Sequence, residues 1–78
     1  MKLEIITPEK TLYSGNVTLI QFPGTSGSFE VLKKHAPLVA SLKKGTIRIV
    51  DTDKKTLLIE INGGTVQVEN NHVLVLAD

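Results

Sequence analysis

The chain has 78 residues, 41% of them hydrophobic and 22% charged, which bounds it to one small globular domain and excludes a disordered chain. Nine Lys and Arg against eight Asp and Glu leave a net charge of +1, too balanced to recruit nucleic acid or an anionic membrane by bulk electrostatics. The absence of cysteine excludes disulfides, thiolate metal sites and cysteine nucleophiles.

Met1-Lys2-Leu3 opens like a secretory signal, but Glu4, Thr7, Pro8 and Glu9 interrupt before an apolar region forms. The longest apolar run, Val73 to Ala77, falls far short of the roughly 20 residues a spanning helix needs. These readings predict a soluble, cytoplasmic protein in which the Asn16-Val17-Thr18 sequon goes unused.

In chain order, Lys2 to Thr7 alternates Leu3 and Ile5 against Glu4, which predicts a strand ended by Pro8. Leu12-Tyr13 and Val17 to Phe22 are the next extended pieces, with Ser14-Gly15-Asn16 as the turn between them. Pro23-Gly24 stops the second piece. Gly24 to Gly45 is the most heavily punctuated stretch, with Pro37 and His35 at its centre and Lys33-Lys34 and Lys43-Lys44 on either side. Within it, Leu38, Val39 and Leu42 suit a helix, whereas Leu38, Ala40 and Leu42 suit a strand, and the local pattern does not choose.

Thr46 to Asp51 alternates again, Asp51 to Lys55 forms a polar hairpin tip, and Thr56 to Asn62 places Leu57, Ile59 and Ile61 inward and Glu60 and Asn62 outward. Gly63-Gly64 supplies positive-φ turn residues, Val66 and Val68 alternate with Gln67 and Glu69, and Asn70-Asn71 makes another tight turn before Val73 to Ala77. Short strands separated by regular turn signals predict an all-β sandwich or barrel.

Chemistry is sparse. His35 and His72 are the only histidines, and no Gly-x-Ser-x-Gly elbow, His-Glu-x-x-His pair or phosphate-binding glycine loop is present, so no catalytic or cofactor residue is expected. Gly24-Thr25-Ser26-Gly27 has the form of a nucleic-acid GxxG loop, but it lies between strands. Tyr13, Phe22 and Phe29 are too few to build a base-stacking platform. Asp51-Thr52-Asp53-Lys54 resembles the hairpin of lipoyl and biotinyl carrier domains, which would make Lys54 the modified lysine. Against this stand Lys55, where that motif has a small residue, and the elaborate central stretch. Ordinary turn chemistry explains the same residues.

Read residue by residue, the central stretch resembles the epsilon subunit of bacterial and chloroplast F-type ATP synthases, which corresponds to the mitochondrial delta subunit. The matching residues are Gly27, Phe29, Val31-Leu32, His35-Ala36-Pro37-Leu38, Leu42-Lys43-Lys44-Gly45 and Ile47-Arg48-Ile49. Tyr13-Ser14-Gly15 matches the family's early turn, Gly63-Gly64 its later hairpin, and Val73 to Asp78 its closing segment, so the likeness covers the whole chain. Lys33-Lys34 departs from the usual Pro-Gly, which implies a looser and more basic loop. Ser28 stands where many members carry a carboxylate facing the membrane ring, with Glu30 the neighbouring substitute.

The resemblance implies a single domain over residues 1–78, a small ten-stranded antiparallel β-sandwich that runs extended after His35-Ala36-Pro37. It implies a non-catalytic, cofactor-free rotor subunit of the central stalk that binds the gamma subunit and the c-ring loops and couples ion flow to ATP synthesis. Its expected place is the cytoplasmic side of the bacterial inner membrane. The expected partner-binding residues are Ser28, Glu30, Lys33, Lys34, His35, Pro37 and Leu38, with Gly27 and Gly45 conformational. Family members usually continue into a carboxy-terminal helical hairpin that restrains ATP hydrolysis and in some members binds ATP. A chain ending at Asp78 is expected to lack both functions.

Overall fold

Aliphatic residues at period two fold into six strands and no helix in the computed structural model, which describes residues 1–78. The strands are β1 (Lys2–Ile6), β2 (Thr11–Gly24), β3 (Gly27–Leu32), β4 (Leu38–Asp51), β5 (Thr56–Glu69) and β6 (His72–Ala77). Their hydrogen-bonded order is β1-β6-β5-β4-β2-β3, with β1 also paired to β2. β1 and β6 run parallel, and every other pair is antiparallel.

The pairings divide into two layers that share three long strands. One layer holds the first half of β2, then β1, β6, the second half of β5 and the first half of β4. The other holds β3, the second half of β2, the second half of β4 and the first half of β5. A strand that passes between layers must swap the face it turns inward. In β4 the inward residues change from Leu38, Ala40 and Leu42 to Ile47 and Ile49. In β5 they change from Ile59 and Ile61 to Val66 and Val68, while Leu57, expected inward with the first two, is exposed near the start of the strand. In β2 a register slip falls between Val17 and Leu19, after which Ile20 and Phe22 face inward. The Thr18 hydroxyl at this slip donates to the Val50 carbonyl at 3.2 Å.

The sandwich class holds, while the expected breaks do not. Ser14-Gly15-Asn16 and Gly63-Gly64 are not turns: β2 and β5 run through them, each 14 residues long. Three strands therefore serve both layers, and six continuous strands replace the expected ten. Gly63 and Gly64 have φ of 132° and 144°, so their positive φ is as expected, but it bends a strand instead of reversing it. A Cβ on Gly64 would collide with the Leu76 carbonyl of β6. Asn70-Asn71 is a tight turn as expected, with φ of 50° and 62° between the paired Glu69 and His72. The ambiguous stretch after Pro37 is a strand.

Both layers face one cluster of 15 buried residues, among them Leu3, Ile5, Ile20, Phe22, Ile47, Ile49, Val73 and Val75. No polar or charged side chain is buried, so the side chains of the interior contribute apolar packing alone.

Candidate docking surface

The sandwich is open on the side where β3 borders one layer and the first half of β4 borders the other. β3 pairs only with β2, and residues Leu38 to Ser41 pair only with β5. Lys33 to Pro37 connects the two layers along this side. At the other end the Gly24–Gly27 hairpin tip leans onto β4, where the Thr25 N–H donates to the Ser41 carbonyl at 3.0 Å. Against the tip lies an open groove of about 300 Å³, lined by Gly24 to Gly27 of the tip itself together with Phe29, Val39, Ala40 and Ser41. Val39 is 73% exposed, the most exposed large apolar side chain of the chain.

The loop closes on a hydrogen-bonded turn with Lys33-Lys34 at its centre. The His35 N–H donates to the Leu32 carbonyl at 3.1 Å, closing a four-residue turn. Lys34 has φ of 64°, at the turn position that ordinarily suits glycine. Its N–H donates to Asn71 Oδ1 at 3.2 Å. The His35 imidazole Nδ1–H donates to the Ala36 carbonyl at 2.7 Å; the carbonyl can only accept, so the proton sits on Nδ1 and leaves Nε2 free. Pro37 is exposed and leads into β4.

The residues singled out from the sequence fall in three places. Lys33, Lys34, His35 and Pro37 share the exposed loop. Ser28 and Glu30 are exposed on β3, and the Gln21 Nε2–H donates to Ser28 Oγ at 3.4 Å. β3 separates Ser28 from Lys33 by five residues, about 16 Å of extended chain, so the two do not form one rim. Leu38 packs against the core, whereas its neighbour Val39 points out. Sequence reasoning passed over Val39 and Asn71. The strand alternative for Leu38, Ala40 and Leu42 carried the signal for Val39, since period two places it on the opposite face.

The remaining polar groups have structural explanations. Asp51 Oδ1 accepts the N–H of Asp53 at 2.8 Å and of Lys55 at 2.9 Å, and Lys54 has φ of 63°. Asp51, Asp53 and Lys54 of the carrier-like hairpin are thus accounted for by its turn. His72 Nε2 lies 3.0 Å from Glu4 Oε1 across β1 and β6, an exposed pair. No three His, Cys, Asp or Glu side chains are grouped to hold a metal ion. No helix is long and apolar enough to cross a membrane.

Comparison with known proteins agrees with this fold. A family model described as "ATP synthase, Delta/Epsilon chain, beta-sandwich domain" matches residues 1–78. The ATP synthase epsilon chain of Chlorobium limicola is 42% identical over 77 residues, covering 99% of this chain and 88% of that protein. That of Nitratiruptor sp. is 45% identical over 78 residues, covering all of this chain and 60% of that protein. Among solved structures, a chain of the Euglena gracilis mitochondrial ATP synthase (OSCP/F1/c-ring) superposes with a TM-score of 0.90 at 21% identity, covering 96% of this chain and 48% of that one. A chain of the Tetrahymena thermophila mitochondrial ATP synthase (central stalk/c-ring) gives 0.82 at 18% identity, covering 99% of this chain and 62% of that one, and at these identities both speak for the fold alone. The whole-length match to the family model, with relatives above 40% identity, places this chain in the ATP synthase delta/epsilon family, as its β-sandwich domain.

Proposed function

We propose that the chain is a non-catalytic rotor domain of an F-type ATP synthase, docking on the gamma subunit and on the c-ring loops to couple ion flow to ATP synthesis. The observation that carries the reading is the open side of the sandwich, where Val39 is 73% exposed beside the ordered His35 loop. A groove whose apolar part is Phe29, Val39 and Ala40 and whose polar part is Thr25, Ser26 and Ser41 has the build of an interface core and rim. In this reading Val39, Phe29, the outer part of Leu38, His35 and Pro37 meet gamma, with Lys33 and Lys34 at the rim. Ser28 and Glu30, toward the hairpin tip, meet the ring. Relatives bearing the epsilon name and the fold's occurrence in complexes solved with a c-ring support the assignment. A close-packed sandwich is stiff, which suits an element that must turn with its partners without yielding. The assembly would place the domain on the cytoplasmic side of the bacterial inner membrane.

Co-purification tests this. Tagged protein drawn from native membranes should bring gamma and c subunits with it, and Val39→Glu and His35→Ala should each release gamma. Val39 is a surface position, so Val39→Glu should change stability by no more than about 0.5 kcal/mol. Recovery of the wild-type chain free of both partners would refute the proposal.

A further inference from the structure

We propose that Asn71 is the positioning residue of the Lys33–Pro37 loop, holding it in the shape that docks. The functional half of this statement rests on the docking reading above; the structural half does not. Asn70 and Asn71 are the two central residues of the β5–β6 turn, with φ of 50° and 62°. In a two-residue turn of this kind asparagine suits the first position and glycine the second. Turn geometry alone therefore favours glycine at position 71, and what asparagine adds is a side chain with an acceptor.

That acceptor is in use. Asn71 Oδ1 takes the Lys34 N–H at 3.2 Å, and the Asn71 backbone carbonyl takes the Lys2 N–H at 3.1 Å. One residue thus ties together the β5–β6 turn, the start of β1 and the docking loop. The loop needs the tie. Lys34 is held at φ of 64°, which an L side chain disfavours. The loop's other hydrogen bonds are local, His35 to Leu32 and His35 to Ala36. The bond to Asn71 is its single hydrogen bond to a distant part of the chain, 37 residues away.

Amide hydrogen exchange on the purified chain tests the structural half. Removing a bond of this kind in Asn71→Gly should speed exchange at the Lys34 amide about fivefold, with the core Val75 amide unchanged. Asn71→Asp keeps an acceptor and should stay within about twofold of wild type. Unaltered Lys34 exchange in Asn71→Gly overturns the proposal, as does equal acceleration in Asn71→Asp. Binding to the purified gamma subunit tests the functional half, with affinity about fivefold weaker in Asn71→Gly and recovered in Asn71→Asp. Full gamma binding with a freed Lys34 amide overturns that half. Failure of the wild-type chain to bind gamma overturns the docking reading instead, and the exchange result still decides the role of Asn71 in the loop.

Discussion

Tyr13 shows how a single side chain reports on its surroundings. Its phenol is raised above the usual value near 10, first by removal from water and second by the negative charge of Asp51. The chain has one tyrosine and no tryptophan, so tyrosinate absorbance follows this group alone. The titration midpoint should lie above that of a free phenol, and Asp51→Asn should lower it part of the way while keeping Oδ1 for the hairpin amides. A raised folded value favours the neutral phenol. Its stabilisation is complete below about pH 10 and is lost as pH rises through the folded value, so alkaline loss of stability should be shallower in Tyr13→Phe. A midpoint at the free value would refute the burial account. At this same scale the sequence was informative about Val39 and silent about Asn71. Alternation within one strand sets the outward face of Val39, whereas the partner of Asn71 is 37 residues distant.

At the scale of elements, glycine carries two meanings that look alike in a sequence. Gly27 follows the hairpin tip with φ of 125° and open space where a Cβ would go. Gly64 lies inside β5 with φ of 144°, against the backbone of β6. Gly27→Ala should therefore cost only backbone strain, about 1–2 kcal/mol. Gly64→Ala adds a collision with the Leu76 carbonyl, which cannot swing aside as a side chain can, and should cost at least about 3 kcal/mol. Urea unfolding of the two variants measures both; equal losses would mean that β5 and β6 can separate at this point. Ser14-Gly15-Asn16 and Gly63-Gly64 read as turns because the residues that reverse a chain also bend a strand. Only the adjacent strand distinguishes the two. Asn70-Asn71 and Asp51 to Lys55 were legible because their turns close through residues adjacent in sequence.

Across the whole molecule, one core serves both layers, so damage in one should be felt in the other. Phe22 is fully buried, with its ring centroid 5.4 Å from that of Phe29. Phe22→Ala should cost about 3–5 kcal/mol, against a total of about 4–12 kcal/mol expected for a domain this small. Its urea transition should move to much lower concentration while remaining a single step seen alike at residues of both layers. Separate transitions for the two layers would contradict a shared core. By itself, the sequence determined the all-β class, the inward faces of β1 and of the second halves of β4 and β5, the turns at Asp51 to Lys55 and Asn70-Asn71, and the family. Those properties follow from alternation and from contacts between near neighbours. Tertiary structure decided that β2, β4 and β5 cross between layers, that β1 and β6 run parallel, and that Ser28 stands well away from Lys33. It also decided that Asn71 holds Lys34. Each of these depends on register between strands far apart in the chain, which becomes definite only when both layers close on the same core.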